Sequence, residues 1–245
     1  MDIINPATEE IIAELPVDTK ESVQEKLAQL GKGQKDWAKK TVEERLQIII
    51  KFGELITDNK EELAFVLTSE TGKPITQSRN EVNGSLNRIE HLKNNAVKWL
   101  SSETVAIGDV KESIAYEPLG LIANISAWNF PYNVGYNVFL YALVAGNAVL
   151  YKPSEFASLT GMNFKELLHQ AGVPQNVFEL VIGPGEVGQY LLDVDLDGYF
   201  FTGSYKTGVH IAKSVAHKLV PVQLELGGKD PLYVMEDIAD IKQAA

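Results

Sequence analysis

The sequence predicts an α/β fold: a parallel sheet of five strands flanked by helices, with an N-terminal helical region and a projecting β-hairpin. Three observations predict it. From Gly120 onward, short apolar β-branched stretches alternate with segments of helix length. Residues 19–100 instead carry apolar side chains at helical spacing. Between them, residues 101–119 hold two short apolar stretches around Gly108-Asp109, a hairpin signal.

The helical region divides into three segments. "KESVQEKLAQLGKGQKDWA" places Val23, Leu27 and Leu30 on one helix face. "TVEERLQIIIKFGELITDNKEELAFVLTSETG" opens on Thr41 and Glu44, the spacing of a capping box. Its apolar stripe continues through Leu46, Ile50, Leu55, Leu63 and Leu67, as one run. Gly72 and Pro74 end that run, and a further helix is predicted from about Ile75 to Leu100.

Past the hairpin, strands are predicted at 121–126, 148–152, 177–182, 198–202 and 222–226. Helices fill the gaps at about 132–145, 158–171, 186–192 and 206–217. Apolar strands alternating with helices mean βαβ units and a sheet buried on both faces. The closing stretch "DIADIKQAA" reads as the start of an amphipathic helix.

Composition narrows the function. The 245 residues suffice for one large domain or two small ones. A formal net charge of -11 argues against nucleic acid or an anionic membrane as partner. No apolar run reaches membrane-spanning length, and "MDIINPATEE" lacks the basic and apolar regions of a signal peptide. A cytoplasmic protein is therefore expected. With no Cys, these residues hold no disulfide, no thiolate-bound zinc and no Cys nucleophile. The four His are scattered, and no acidic third ligand stands beside His210 and His217, so no metal site is expected.

In a parallel α/β sheet, ligands bind outside the carboxyl ends of the strands. The first strand is followed by "AWNFP". Asn129 is either an ordinary turn residue before Pro131 or an amide that donates to an oxyanion. The second is followed by "KPSE". Ser154 or Glu155 caps a helix, or Glu155, with Lys152, meets a ribose diol. The third is followed by "GPGEVG", residues 183–188, which fits G-x-G-x-x-G. The ribose-binding acid should follow by roughly 20 residues, yet the natural acid, Glu155, lies upstream. That motif alone is equally a tight strand–helix turn. The fourth is followed by "FTGS", where Ser204 is an N-cap or a phosphate contact. The fifth runs into "ELGGK", where Glu225 is a solvated turn residue or a catalytic carboxylate. Together, these loops offer an amide, a diol acceptor, a phosphate cradle and a carboxylate at one edge of a Rossmann-like sheet. A dinucleotide site beside a reacting carbonyl explains that combination best.

The same residues resemble the aldehyde dehydrogenase superfamily. The resemblance runs through "INPAT" (4–8), "SETGKP" (69–74), "ISAWNFP" (125–131), "GNAVLYKPSE" (146–155), "FTGS" (201–204) and "LELGGK" (224–229). It covers nearly the whole chain, in order. It implies oxidation of a small aldehyde to a carboxylate with NAD, NADP being possible, by a Cys thiolate that passes through a thioester. Carried onto this sequence, Asn129 is the oxyanion donor and Glu225 the general base. Lys152 and Glu155 match the adenine-ribose contacts, Ser204 the pyrophosphate contact, and Ser154 counts among the cofactor-binding residues. Ser126, Ala127, Trp128, Gly203 and Leu226 line the cofactor, with Gly185 and Gly188 from the glycine loop. Glu155 would repel a 2′-phosphate, which favours NAD.

The resemblance also implies an organisation. Residues 1–100 and 120–229 form the NAD-binding domain, 101–119 an oligomerisation hairpin, and 230–245 the start of a catalytic domain. The complete enzyme would be a homodimer or homotetramer. "ISAWNFPYNVGYNVF" resembles semialdehyde-type members, which points to succinate semialdehyde. Two departures stand out. "GPGEVG" is one residue shorter than the family's usual loop, and the family's nucleophilic Cys would lie past Ala245. The expectation is the N-terminal part of an enzyme, inactive by itself. The alternatives are a non-catalytic dinucleotide-binding module and an acyl phosphate or acyl-CoA reductase. Glu225 argues against the last, since that chemistry needs no hydrolytic base.

Overall fold

The computed structural model describes residues 1–244. A five-stranded parallel sheet is built from β5 (Leu121–Ile125), β6 (Ala148–Lys152), β7 (Phe178–Leu180), β8 (Gly198–Gly203) and β9 (Val222–Leu226). Their order is β7-β6-β5-β8-β9. The chain steps outward from β5 to β7, then returns to the other side of β5 for β8 and β9. The topological switch therefore falls between β5 and β8, where a crevice opens at the carboxyl ends.

Helices link the strands: α5 (Pro131–Val144), α6 (Ser158–Ala171) after a 3₁₀ turn at Glu155–Ala157, α7 (Gly185–Asp193) and α8 (Tyr205–Val215). One sheet face is covered by α5 and α6, backed by α2 (Val42–Asp58), α3 (Lys60–Thr71) and α4 (Ile75–Trp99). On the other face, α1 (Lys20–Ala38) packs across β5, β6 and β7 and meets α7. The five central strands, their crossover helices and the α-rich N-terminal region thus stand where the sequence puts them, within one or two residues at most ends.

Three details differ. The run 41–72 is two helices, because Asn59 leaves helical geometry at φ -106°, ψ 10°. Its side-chain amide donates to Leu55 O at 2.8 Å, closing α2 before α3 begins. The apolar stripe survives the break, which is why periodicity alone does not reveal it. Second, residues 2–14 form a small antiparallel hairpin of β1 (Asp2–Ile4) and β2 (Ile11–Glu14). Asn5 nucleates its turn, accepting the Ala7 N–H on its side chain at 2.9 Å. Third, helix in the closing stretch is confined to α9 (Ile241–Ala244), and Ala245 lies outside the described residues.

The predicted hairpin is β3 (Glu103–Ile107) and β4 (Val110–Ile114), closed by Gly108 at φ +59°. All ten strand residues are exposed, including Val105, Ile107, Val110 and Ile114. Among the described residues no helix is long and apolar enough to cross a membrane.

Buried charges tie the helices together. Arg45 sits at the C-terminal ends of α1 and α5, donating to Val144 O at 2.8 Å, Ala38 O at 3.2 Å and Lys40 O at 2.5 Å. A guanidinium there meets the carbonyls that a helix end leaves unpaired. Glu70 does the converse at the start of α6. It is 3% exposed and accepts the N–H groups of Leu159 and Thr160 at 2.9 and 2.8 Å, plus the Thr160 hydroxyl. Burial pushes its carboxyl up to about 7, although those hydrogen bonds favour the charged form.

Glu70 has a pH signature. Its folded value lies above the ordinary 4.5, so its contribution to stability is complete below that pH and is lost as pH rises through about 7. The loss is on the order of 3 kcal/mol. Urea unfolding of the native chain and Glu70→Gln across this window should differ by that slope, with the glutamine variant the flatter. Parallel curves would show that Glu70 is ionised as freely in the fold as in water.

Candidate active site

The loops after β5, β8 and β9 enclose a cleft of about 820 Å³. Asn129 and Glu225 both line it, with Trp128, Gly203, Ser204 and Leu226. A second cavity of about 420 Å³ opens beside it. Ser126, Lys152, Ser154 and Glu155 form one wall of the second cavity, and Gly185 and Gly188 another. Ala127, Trp128, Thr202, Gly203 and Ser204 line both, so the two adjoin along that wall. Every site residue expected from the sequence therefore borders one or both of two adjoining cavities.

Local structure explains how each is held. Ser126 follows β5, its N–H on Lys152 O at 3.0 Å and its side chain buried. The next residues turn into α5, with Pro131 in the first helical position, where its missing N–H costs nothing. The turn reading of "AWNFP" is thus correct, and the same turn leaves Asn129 exposed in the cleft. Its carbonyl accepts from Lys73 Nζ at 2.7 Å.

Lys152 closes β6 and is 4% exposed. Its ammonium reaches Pro153 O at 3.3 Å. Burial holds it below the ordinary lysine range, with Glu155 and Glu186 opposing that shift. Ser154 is a cap as well, accepting from Phe156 N–H at 3.3 Å. Its hydroxyl also donates to Glu155 Oε2 at 3.3 Å.

The glycines of "GPGEVG" have unequal reasons. Gly183 adopts φ +149°, and a Cβ there would stand 2.5 Å from Val187. Gly185, the first residue of α7, has nothing within 4 Å of where its Cβ would be. Gly188 would make only ordinary contact with Lys152, at 3.6 Å. The fold requires glycine at 183, while at 185 a side chain would fill only the cavity. Ser204 caps α8, accepting from Thr207 N–H at 3.2 Å. That helix N-terminus faces both cavities, an arrangement suited to an anion.

Glu225 stands on the edge strand β9, opposite Thr202 of β8. It is exposed, and Gln223 Nε2 donates to it at 3.3 Å. Two features escaped the sequence reading. Gln189 of α7 and His210 of α8 pair at 2.8 Å across the smaller cavity. Lys73 and Glu81 pair behind the Asn129 turn. Neither pair has a sequence signal, because its members meet only through helix packing. Among the described residues, no group of three or more His, Asp or Glu is placed to hold a metal ion.

Comparison with known proteins gives this geometry a context. The model of the aldehyde dehydrogenase family matches residues 1–245. The fold is similar to that of an NAD-dependent aldehyde dehydrogenase from Sinorhizobium meliloti, at 33% identity and a TM-score of 0.90. That match covers 94% of this chain and 47% of the other. A betaine aldehyde dehydrogenase variant from Staphylococcus aureus, solved with NAD+, is 30% identical with a TM-score of 0.93, over 100% of this chain and 50% of that one. A glyceraldehyde-3-phosphate dehydrogenase from Methanocaldococcus jannaschii, complexed with NADP, is 29% identical with a TM-score of 0.86, over 93% and 51%. The chain spans about half the length of these structures. With the family model matching across residues 1–245, the chain belongs to the aldehyde dehydrogenase family.

Proposed function

We propose that these residues supply the dinucleotide site and half of the catalytic groups of an aldehyde-oxidising enzyme. One observation carries the reading: Asn129 and Glu225 share a cleft that adjoins a cavity walled by Lys152, Ser154 and Glu155. The relatives solved with NAD+ and with NADP support a nicotinamide dinucleotide as occupant. Two features fit that occupant. Lys152 is a buried ammonium whose one hydrogen bond among the described residues is to a carbonyl, and Gly185 leaves a cradle that a Cβ would enter. Lys152 and Glu155 would hold the ribose, Ser204 and the α8 N-terminus the pyrophosphate. Glu155 disfavours a 2′-phosphate by charge repulsion, so NAD is the preferred form. A bound nicotinamide would supply the hydride acceptor for oxidation of the substrate carbon.

The chain's own groups do the rest. Asn129 Nδ2 donates to the oxygen that becomes negative as a thiolate adds to the aldehyde. The chain contains no Cys, so that thiolate comes from outside these residues. Glu225 takes a proton from the water that hydrolyses the resulting thioester. The β3–β4 hairpin, exposed on every strand residue, is read as the start of an oligomer contact, consistent with a homodimer or homotetramer of the complete enzyme. Residues 230–245 are read as the opening of the domain that brings the thiol. Succinate semialdehyde heads the aldehydes to assay, on the strength of the "ISAWNFP" stretch.

Two experiments test this. Titrating the 245-residue chain and following Trp fluorescence should give saturable NAD+ binding, with NADP+ weaker by about tenfold or more. Gly185→Val should weaken NAD+ by about a factor of ten with an unchanged melting temperature. No saturation at millimolar NAD+ would refute the dinucleotide reading.

The second uses the thiol-bearing enzyme. Glu225→Gln there should keep the first-turnover burst of NADH while steady turnover falls about 100-fold or more. A lost burst would place Glu225 before hydride transfer. The chain alone should form no NADH with succinate semialdehyde or any other aldehyde assayed. NADH from it would overturn the need for an outside thiol and leave the non-catalytic alternative untenable.

A further inference from the structure

Lys73 lies in the link between α3 and α4, and Glu81 in the second turn of α4. Their side chains form an ion pair and are only 10% and 4% exposed. Each also reaches the turn that carries Asn129. Lys73 Nζ donates to the Asn129 carbonyl at 2.7 Å, and Glu81 Oε1 accepts the Tyr132 N–H at 2.9 Å. The Lys73 ammonium further sits 4.0 Å from the centre of the Phe130 ring. The turn is thus gripped at both ends by one pair of opposite charges, with a cation–π contact between.

Satisfying the backbone does not require this. Asn129 is exposed, so water could serve its carbonyl, and an aspartate or serine cap could serve the Tyr132 N–H. Taking two charges out of water is costly unless both are paired and hydrogen-bonded. What the pair adds is position. Among the described residues Asn129 makes its one hydrogen bond through the carbonyl, so its side-chain amide is located by the backbone alone. We infer that Lys73 and Glu81 are positioning residues that clamp the 129–132 turn and so fix the oxyanion-donating amide of Asn129. The inference rests on the reading of Asn129 proposed above.

The test combines turnover with amide exchange. In the thiol-bearing enzyme, Lys73→Met should lower kcat about 10- to 100-fold, the effect of a displaced catalytic group. Lys73→Arg, which keeps charge and donors, should restore most of it. NAD+ affinity of the 245-residue chain should change less than about twofold. Asn129→Ala should cost about 100-fold or more, and adding Lys73→Met to it should slow the enzyme no further than about threefold. If Lys73→Met does not fold, Lys73→Met/Glu81→Leu replaces it in each arm, since that pair leaves no lone buried charge. In the 245-residue chain the double replacement should also speed hydrogen exchange at the Tyr132 amide about tenfold or more.

An unchanged kcat in the Lys73 variant, fully multiplicative losses in the combined variant, or an unchanged Tyr132 exchange rate would each overturn the clamp. Full activity of Asn129→Ala would instead overturn the oxyanion reading, with the exchange rate still deciding whether the clamp exists.

Discussion

Parallel pairing of β5 with both β6 and β8 is the constraint on which the rest of the structure depends. A parallel neighbour can be reached only by a crossover, so each strand here ends at the same edge and hands the chain to a helix. Because β6 and β8 flank β5 on opposite sides, the helices that follow β5 and β8 leave toward opposite faces. The crevice between them is what remains. Asn129 borders it because it follows β5, Ser204 because it follows β8, and Glu225 because β9 pairs alongside β8. These residues are distant in sequence, and one topological feature brings them together.

The buried charges fall into two kinds. Arg45 and Glu70 each lie at helix termini that present several backbone groups of opposite polarity, and each makes multiple short hydrogen bonds. Such charges are complete within the fold and serve it. Lys152 is different. It is as buried as they are, yet it reaches a single carbonyl at 3.3 Å. A desolvated ammonium with spare donors beside a cavity is the feature on which the proposed ribose contact rests. The Lys73–Glu81 pair stands between the two kinds, complete as a pair yet spending its remaining hydrogen bonds on a turn that water could have served. Tyr132, Tyr136, Phe139, Tyr151 and Phe164 pack edge to face in the buried core between α5, α6 and β6. Burial raises the pKa of the three tyrosines, which keeps them neutral there.

Much of this was legible from the residues. The alternation of apolar strands with helix-length segments located the central sheet and its crossovers, because both periods are written directly in side-chain order. The loops after the strands supply the members of the two cavities. They can be found without knowing strand order, since all parallel strands deliver their loops to one edge. The misses have a common cause. Asn59 breaks a helix without interrupting its apolar stripe, so it changes direction but not periodicity. The β1–β2 hairpin is too short to show alternation and is held by the Asn5 turn. The Gln189–His210 and Lys73–Glu81 pairs depend on which helix faces pack together.

By itself, the sequence determined the kinds of group available and the edge at which they gather, because those depend on local periodicity and on the rule for parallel strands. It also set what the chain lacks, a Cys. Only the tertiary structure decided that Asn129 and Glu225 share one space, that this space adjoins the Lys152 cavity, and that glycine is needed at 183 but not at 185. Those outcomes come from the position of β8 across β5 and from helix contacts between residues far apart in the chain. Distances of that kind are fixed by packing in three dimensions, and no spacing along the chain encodes them.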